Sequence, residues 1–387
     1  MDGHSDQDNL DTLLHEMRHA IVGERAHGSR LSGRAGAWDG GGTVRRIALT
    51  IAVAAVALAA AGAPGADAQA PDVQTADYDL GVRRFVEPGA TGRFARIPIR
   101  LWGAVAVPAG SGPAPVVVVG HGSHGDGCPG EFGDWPCFGV EQRNDLGLRY
   151  LVRQLARVGF IAVAPDVNAS FTGGFGETQD HEYRRYAEVV DATLDALRTA
   201  SAGGPNRFSV PLQGRVDTTR IGLIGHSRGG KNLLRWAAAN RTRVGAIVLV
   251  APLFDRSVTV PDVQTAMLLG TCDDDTGRTG AGYLAAARRD AGRTQPFWSL
   301  TMRGANHNFY NRTLVRLRND DAAGSKGRCA RSRRPKATGQ QAFLVRIAWN
   351  HLTRALLAAP AAPWQLPGAT SGSLYGQRVA LSTDRVG

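Results

Sequence analysis

The stretch Ile221-Gly222-Leu223-Ile224-Gly225-His226-Ser227-Arg228-Gly229-Gly230 decides the fold. Its first four residues form a short apolar run, the pattern of a strand covered on both faces. The residues that follow, Lys231 to Asn240, are rich in Leu and Ala and read as a helix. A serine set between them in G-x-S-x-G occupies a strand-to-helix turn too tight for side chains two positions to either side. Gly225 and Gly229 leave that room. The helix begins at the serine, so its first N–H groups point at any negative charge that develops beside the Ser227 hydroxyl. Ser227 is therefore a candidate nucleophile. The plain alternative is a glycine-rich turn with an incidental serine, and the rest of the chain weighs against it.

Working outward, apolar runs alternate with helical patterns. Strands are expected within Phe94–Val107, Pro115–Gly120, Phe160–Ala164, Ala246–Ala251, Ala266–Leu269 and Phe297–Met302, with a weak strand signal at Gln377–Leu381. Helical period marks Leu146–Val158, His181–Ala200 and Gln341–Ala358. The alternation predicts one α/β domain over 69–359, a doubly wound, mostly parallel sheet with helices on both faces. Residues 360–387 read as a C-terminal tail.

In such sheets ligands gather at the carboxyl ends of the strands. Those ends carry a short set of candidates. After the first core strand comes Gly120-His121-Gly122-Ser123-His124-Gly125, where the N–H of Ser123 can face the N–H of Arg228 as an oxyanion hole. After Leu268-Leu269 comes Gly270-Thr271-Cys272-Asp273-Asp274-Asp275. Asp273, three past the glycine, is the expected partner of a catalytic imidazole, with Asp275 the runner-up. Clustered carboxylates could instead take a hard cation. After the last strand comes Gly304-Ala305-Asn306-His307-Asn308-Phe309, and His307 is the expected base. The order Ser, Asp, His is that of α/β-hydrolases. His226 and His124 are adjacent to the site but are not expected to be the base. Phe138, Trp135 and Phe309 are candidates to line an acyl pocket.

On these motifs the chain resembles secreted bacterial α/β-hydrolases of the esterase, lipase and cutinase-like group, near polyester hydrolases and platelet-activating-factor-acetylhydrolase-like enzymes. The residues that carry the resemblance are Val119 to Gly122, Gly225 to Gly230, Gly270 to Asp273 and Gly304 to His307, and it spans roughly 80–357. The elbow with Arg228 also resembles that of chlorophyllases. Where cutinase-like enzymes usually place an aromatic residue in the first oxyanion position, Ser123 stands. The resemblance implies a serine ester hydrolase with a Ser227-His307-Asp273 triad, working through an acyl-enzyme on a small or polymeric ester. A peptidase or amidase on the same triad, or a binding protein that keeps the fold, are the alternatives. No cofactor or metal and no nucleic-acid partner is implied, and a monomer is expected.

The front of the chain reads as an export signal over 44–68. Arg45-Arg46 is its charged region and Ile47–Ala61 its apolar region, too short and Ala-rich for a stable membrane span. Ala66-Asp67-Ala68 fits a cleavage rule that makes Gln69 the first mature residue. Residues 1–43, polar and Gly-rich, are then expected to be a non-native extension ahead of a true start at Val44. They contain His15-Glu16-Met17-Arg18-His19, which matches H-E-x-x-H. With no core around it and no third ligand, it reads as a decoy for a zinc protease. The chain carries a net charge of +11. Much of the excess gathers between Arg312 and Lys336, expected to be a solvated basic loop, and no zinc finger or other nucleic-acid motif accompanies it.

Four cysteines in an exported chain suggest two disulfides, with three possible connectivities. The pairing that joins neighbours in the expected fold is Cys128 with Cys137 and Cys272 with Cys329.

Overall fold

The structure, a computed structural model, describes residues 73–87, 95–124, 127–129, 135–172, 179–357 and 370–383. All belong to the unit Pro71–Gly387. The extension, the export signal with its cleavage site and the H-E-x-x-H segment lie outside the described residues.

A ten-stranded mixed sheet runs through the unit in the order β1-β2-β4-β3-β5-β6-β7-β8-β10-β9. Its centre consists of β3 (Ala114–Gly120), β4 (Ile161–Pro165), β5 (Val216–His226), β6 (Val244–Val250), β7 (Gln264–Gly270) and β8 (Phe297–Met302). These six pair in parallel. The edges are antiparallel: β1 (Gln74–Val86) on β2 (Arg96–Val107) on one side, and β10 (Gln377–Thr383) with β9 (Ser371–Leu374) on the other. The class is α/β. Six helices are described: α1 (Arg149–Arg157), α2 (Gln179–Ser201), α3 (Ser227–Ala239), α4 (Ala281–Arg289), α5 (Arg312–Arg316) and α6 (Ala337–Leu356).

The central strands are apolar throughout because both faces are covered. Successive residues of β3 separate into two cores. Val116 and Val118 pack with Tyr186, Val189 and Leu197 of α2, Leu233 and Trp236 of α3 and Tyr283 of α4. Val117 and Val119 pack with Leu151 and Leu155 of α1 and Phe343, Ile347 and Leu352 of α6. The period of 2 in the strands thus meets the 3–4 spacing of the helices on each side. Each such side chain, fully buried, contributes on the order of 1.5–3 kcal/mol.

Two differences from the sequence reading have physical causes. Residues 370–383, within the stretch expected to be a tail, join the sheet: Val379 pairs with Met302 of β8, and Val379 and Leu374 are buried on the second core. The weak strand signal at Gln377–Leu381 is β10, while β9, four residues long at the edge of the sheet, buries only Leu374 and left no signal. β1 was not foreseen for the same reason, since only Tyr78 of its residues is buried. It adds to the edge of β2 with a register shift between Asp79 and Val82, where Gly81 takes a positive φ of 94°.

Both disulfides have the expected pairing, Cys128–Cys137 and Cys272–Cys329. The segment Arg312–Lys336 is less solvated than a basic loop suggests. Arg334 is buried and makes a bidentate pair with Asp320, both bonds at 2.7 Å.

Candidate active site

β5 ends at His226 in extended conformation, and α3 begins at Ser227. Ser227 has a φ of +55°, a left-handed conformation that costs a non-glycine residue free energy and marks a turn held by its surroundings. The crowding explains the flanking glycines. A Cβ on Gly225 would lie 2.5 Å from the Cα of Gly230, and one on Gly229 would lie 2.1 Å from the carbonyl oxygen of His121. The loop after β3 crosses directly over the serine: a Cβ on Gly122 would meet Ser227 Cβ at 2.4 Å and Oγ at 3.1 Å. The segment holding Ser123 is thus brought to the hydroxyl, opposite the first turn of α3 with Arg228. First-turn N–H groups have no acceptor within their own helix.

His307 follows β8, with its side chain fully buried. Its Nδ1–H donates to Asp273 Oδ2 at 3.0 Å. That bond leaves Nε2 as the bare, proton-accepting nitrogen. Asp273 is itself fixed after β7. Its Oδ1 accepts the N–H groups of Asp275, Thr276 and Gly277 at 3.1, 2.8 and 3.1 Å, and its Oδ2 accepts the Thr276 hydroxyl at 3.0 Å. Burial raises the pKa of Asp273, but the His307 and Thr276 bonds outweigh it and hold the carboxyl below its ordinary value. Burial lowers the pKa of His307, but the hydrogen bond and charge of Asp273, with Asp275 and Asp321 behind, outweigh it and leave the imidazole raised. Among the described residues His307 Nε2 makes no hydrogen bond.

Asp275 does not share Asp273's role. Its Oδ2 lies 3.5 Å from His307 Nε2, on the opposite side of the ring, and its side chain is 51% exposed. The Asp274 carboxylate accepts the Ser325 hydroxyl at 2.6 Å. Asp273 and Asp275 thus face the two nitrogens of one imidazole while Asp274 faces Ser325, and among the described residues no group of three or more His, Cys, Asp or Glu could hold a metal ion.

Several supporting residues were not foreseen. Asp321, within the basic segment, accepts the backbone N–H of His307, Asn308 and Asp274 at 3.1, 3.1 and 3.0 Å. One carboxylate therefore ties the loop of the base to the loop of the acid. Burial pushes the pKa of His226 well down, and its Nε2–H donates to the His307 carbonyl oxygen at 3.0 Å. Its ring lies 4.6 Å from that of His307, so the residue before Ser227 packs against His307 as well as bonding its backbone. Glu182 of α2 binds Arg228, Asn232 at 2.7 Å and Lys231 at 3.1 Å, holding the first turns of α3. The aromatic candidates are not brought together. Phe138 is almost fully exposed, Trp135 donates to the Pro98 carbonyl oxygen, and Phe309 lies against the Arg334 guanidinium.

Comparison with known proteins places Ser227, Asp273 and His307 within a family likeness. A model of the PET hydrolase-like family (PETase) matches residues 144–311, which include Ser227, Asp273 and His307 but not the loop of Ser123. The chain thus resembles the polyester-hydrolase-like esterases. Among curated proteins it is 30% identical over 129 residues to a bis(hydroxyethyl) terephthalate hydrolase of Streptomyces coelicolor. That match covers 33% of this chain and 35% of the relative, so the chain spans about a third of the length of the curated relative it matches.

Proposed function

We propose that the chain is a serine hydrolase of carboxylic esters on an α/β-hydrolase fold. The observation that carries this is the His307–Asp273 bond of 3.0 Å, with His307 tied through its carbonyl oxygen to His226, the residue before a serine held at positive φ. In the reaction, His307 Nε2 takes the proton of the Ser227 hydroxyl as Oγ attacks the ester carbonyl. Negative charge on the carbonyl oxygen is met by the N–H groups of Ser123 and Arg228, aided by the N-terminus of α3. The C–O bond then breaks, Nε2–H protonates the leaving alcohol, and an acyl-Ser227 remains. Water, deprotonated by the same nitrogen, releases the acid. Asp273 holds the tautomer and stabilises the imidazolium in both steps.

The protein works outside the cytoplasm in this reading. Two disulfides favour an oxidising compartment, and the 44–68 signal supplies the route. Among the described residues no helix is long and apolar enough to cross a membrane. The relative's named substrate makes bis(hydroxyethyl) terephthalate the first ester to try. The test pairs p-nitrophenyl esters of rising chain length with a fluorophosphonate label on the wild type and on Ser227→Ala. The wild type should hydrolyse and label. The variant should lose the label and at least about 10³-fold in rate while keeping its melting temperature. A variant that keeps more than about a tenth of the activity would overturn the assignment.

A further inference from the structure

His307 uses one ring nitrogen for Asp273 and leaves Nε2 buried with no hydrogen bond among the described residues. The nearest acid to that nitrogen is Asp275, at 3.5 Å. Two further facts give this carboxylate meaning. It is about half exposed, so it touches the base on one side and solvent on the other. Among the described residues it also stands without a Lys or Arg partner. In a chain of 45 Lys and Arg against 34 Asp and Glu, Asp79, Asp145, Glu182 and Asp320 are all paired with basic side chains. Among the described residues no Lys or Arg lies within ion-pair distance of Asp275, whose one such contact is His307. Its backbone N–H is anchored on Asp273 Oδ1, so the loop cannot carry it away without loosening the acid.

The chemistry of the proposed reaction says what passes this point. Nε2 must protonate the oxygen of the departing alcohol, so that oxygen comes within hydrogen-bond reach of Nε2. The first few atoms of the alcohol then lie beside the Asp275 carboxylate. We propose that Asp275 is a specificity residue that reads charge on the alcohol side of the ester, favouring alcohols that bear an ammonium group and disfavouring those that bear a carboxylate. This rests on the ester-hydrolase reading and goes beyond it. At about 6 Å and an effective dielectric constant of about 40 for a half-exposed site, one charge pair changes the rate constant about tenfold.

The experiment uses three acetate esters of matched size: choline acetate, its neutral isostere 3,3-dimethylbutyl acetate, and 3-carboxypropyl acetate. Each is measured as kcat/KM at low ionic strength with wild type, Asp275→Asn and Asp275→Lys. The wild type should prefer the cationic ester over the neutral one by about tenfold, with the anionic ester slowest. Asp275→Asn should bring the ratios close to unity, and Asp275→Lys should invert them. Raising the ionic strength to about 0.5 M should compress the wild-type ratios several-fold, a readout that needs no variant. Wild-type ratios within twofold of unity, or ratios that neither variant nor salt moves, would overturn the selector while leaving the hydrolase intact. Failure of the wild type on the neutral ester and on the p-nitrophenyl series would overturn the hydrolase itself and the selector with it.

Discussion

Replacing Cys272 and Cys329 together by serine should cost more stability than replacing Cys128 and Cys137, and only the first pair should also slow turnover. The stability ranking follows from the spans the bonds close, 57 residues for Cys272–Cys329 and 9 for Cys128–Cys137. With the loop-closure relation the longer bond constrains the unfolded chain by about 4 kcal/mol and the shorter by about 2.6 kcal/mol. At roughly 2 °C per kcal/mol for a domain of this size, the losses in melting temperature are about 8 °C and about 5 °C. The turnover ranking follows from position. Cys272 precedes Asp273, and the loop that Cys329 anchors carries Asp321, which holds the N–H of His307. The Asp320–Arg334 pair and the Ser325–Asp274 bond still hold that loop in the variant, so kcat should fall several-fold rather than vanish. Differential scanning at one fixed rate, with kcat measured well below the transition, reads both effects. Equal losses in melting temperature, or a larger loss for Cys128 and Cys137, would refute the loop-length reasoning. An unchanged kcat for the Cys272 and Cys329 variant would refute the positional one.

The rate should rise with pH through a midpoint above 6.5, because Asp273 and Asp275 raise His307 and only the neutral imidazole accepts the serine proton. The same shift acts oppositely on stability: a raised folded pKa stabilises fully below 6.5 and fades as pH rises through the folded value. A pH–kcat/KM profile flat from pH 5 to about 9, with chemistry limiting, contradicts this. Asp273→Asn should lower kcat by about 10⁴-fold by favouring the wrong tautomer, and Asp275→Asn should cost far less on the same neutral ester. A reversed ranking would move the orienting role to Asp275.

What the sequence made legible was whatever a buried position dictates. The β-branched run Val116–Val119 has to be a doubly covered strand, and the glycines at 225 and 229 have to be where another backbone passes within contact distance. The candidate residues at strand ends followed from the same argument, since strand ends can be counted. Solvent-facing edges were not legible. β1 and β9 bury one residue each, so no period survives in them. Asp321 and Glu182 were missed for another reason. Each works through backbone N–H groups or side chains far away in sequence, and an acid in a polar loop or on the first turn of a helix looks the same whether or not it has such a partner. The one local signal was a pair of acids, Asp320-Asp321, interrupting a basic segment.

One of those missed acids, Glu182, helps to explain how the turn at Ser227 keeps its conformation. A non-glycine residue in the left-handed region costs on the order of 1–3 kcal/mol, and the helix that starts there would relax if its first turns were loose. Glu182 prevents this from the side of α2 by gathering Arg228, Lys231 and Asn232, with its charge at the N-terminal end of α3 where the helix dipole favours an anion. From the other end, the N–H of Leu253 after β6 bonds the Ser227 carbonyl oxygen at 3.2 Å. His226 cannot swing away, because its ring is buried and its Nε2–H is committed to the His307 carbonyl. The strained residue is thus held through the residues immediately before and after it. The bond from His226 also fixes the backbone of His307 relative to that of Ser227. In the proposed reaction Ser227 and His307, 80 positions apart, need such a direct tie, since a displacement of about 1 Å between them is enough to cost on the order of 10²-fold in rate.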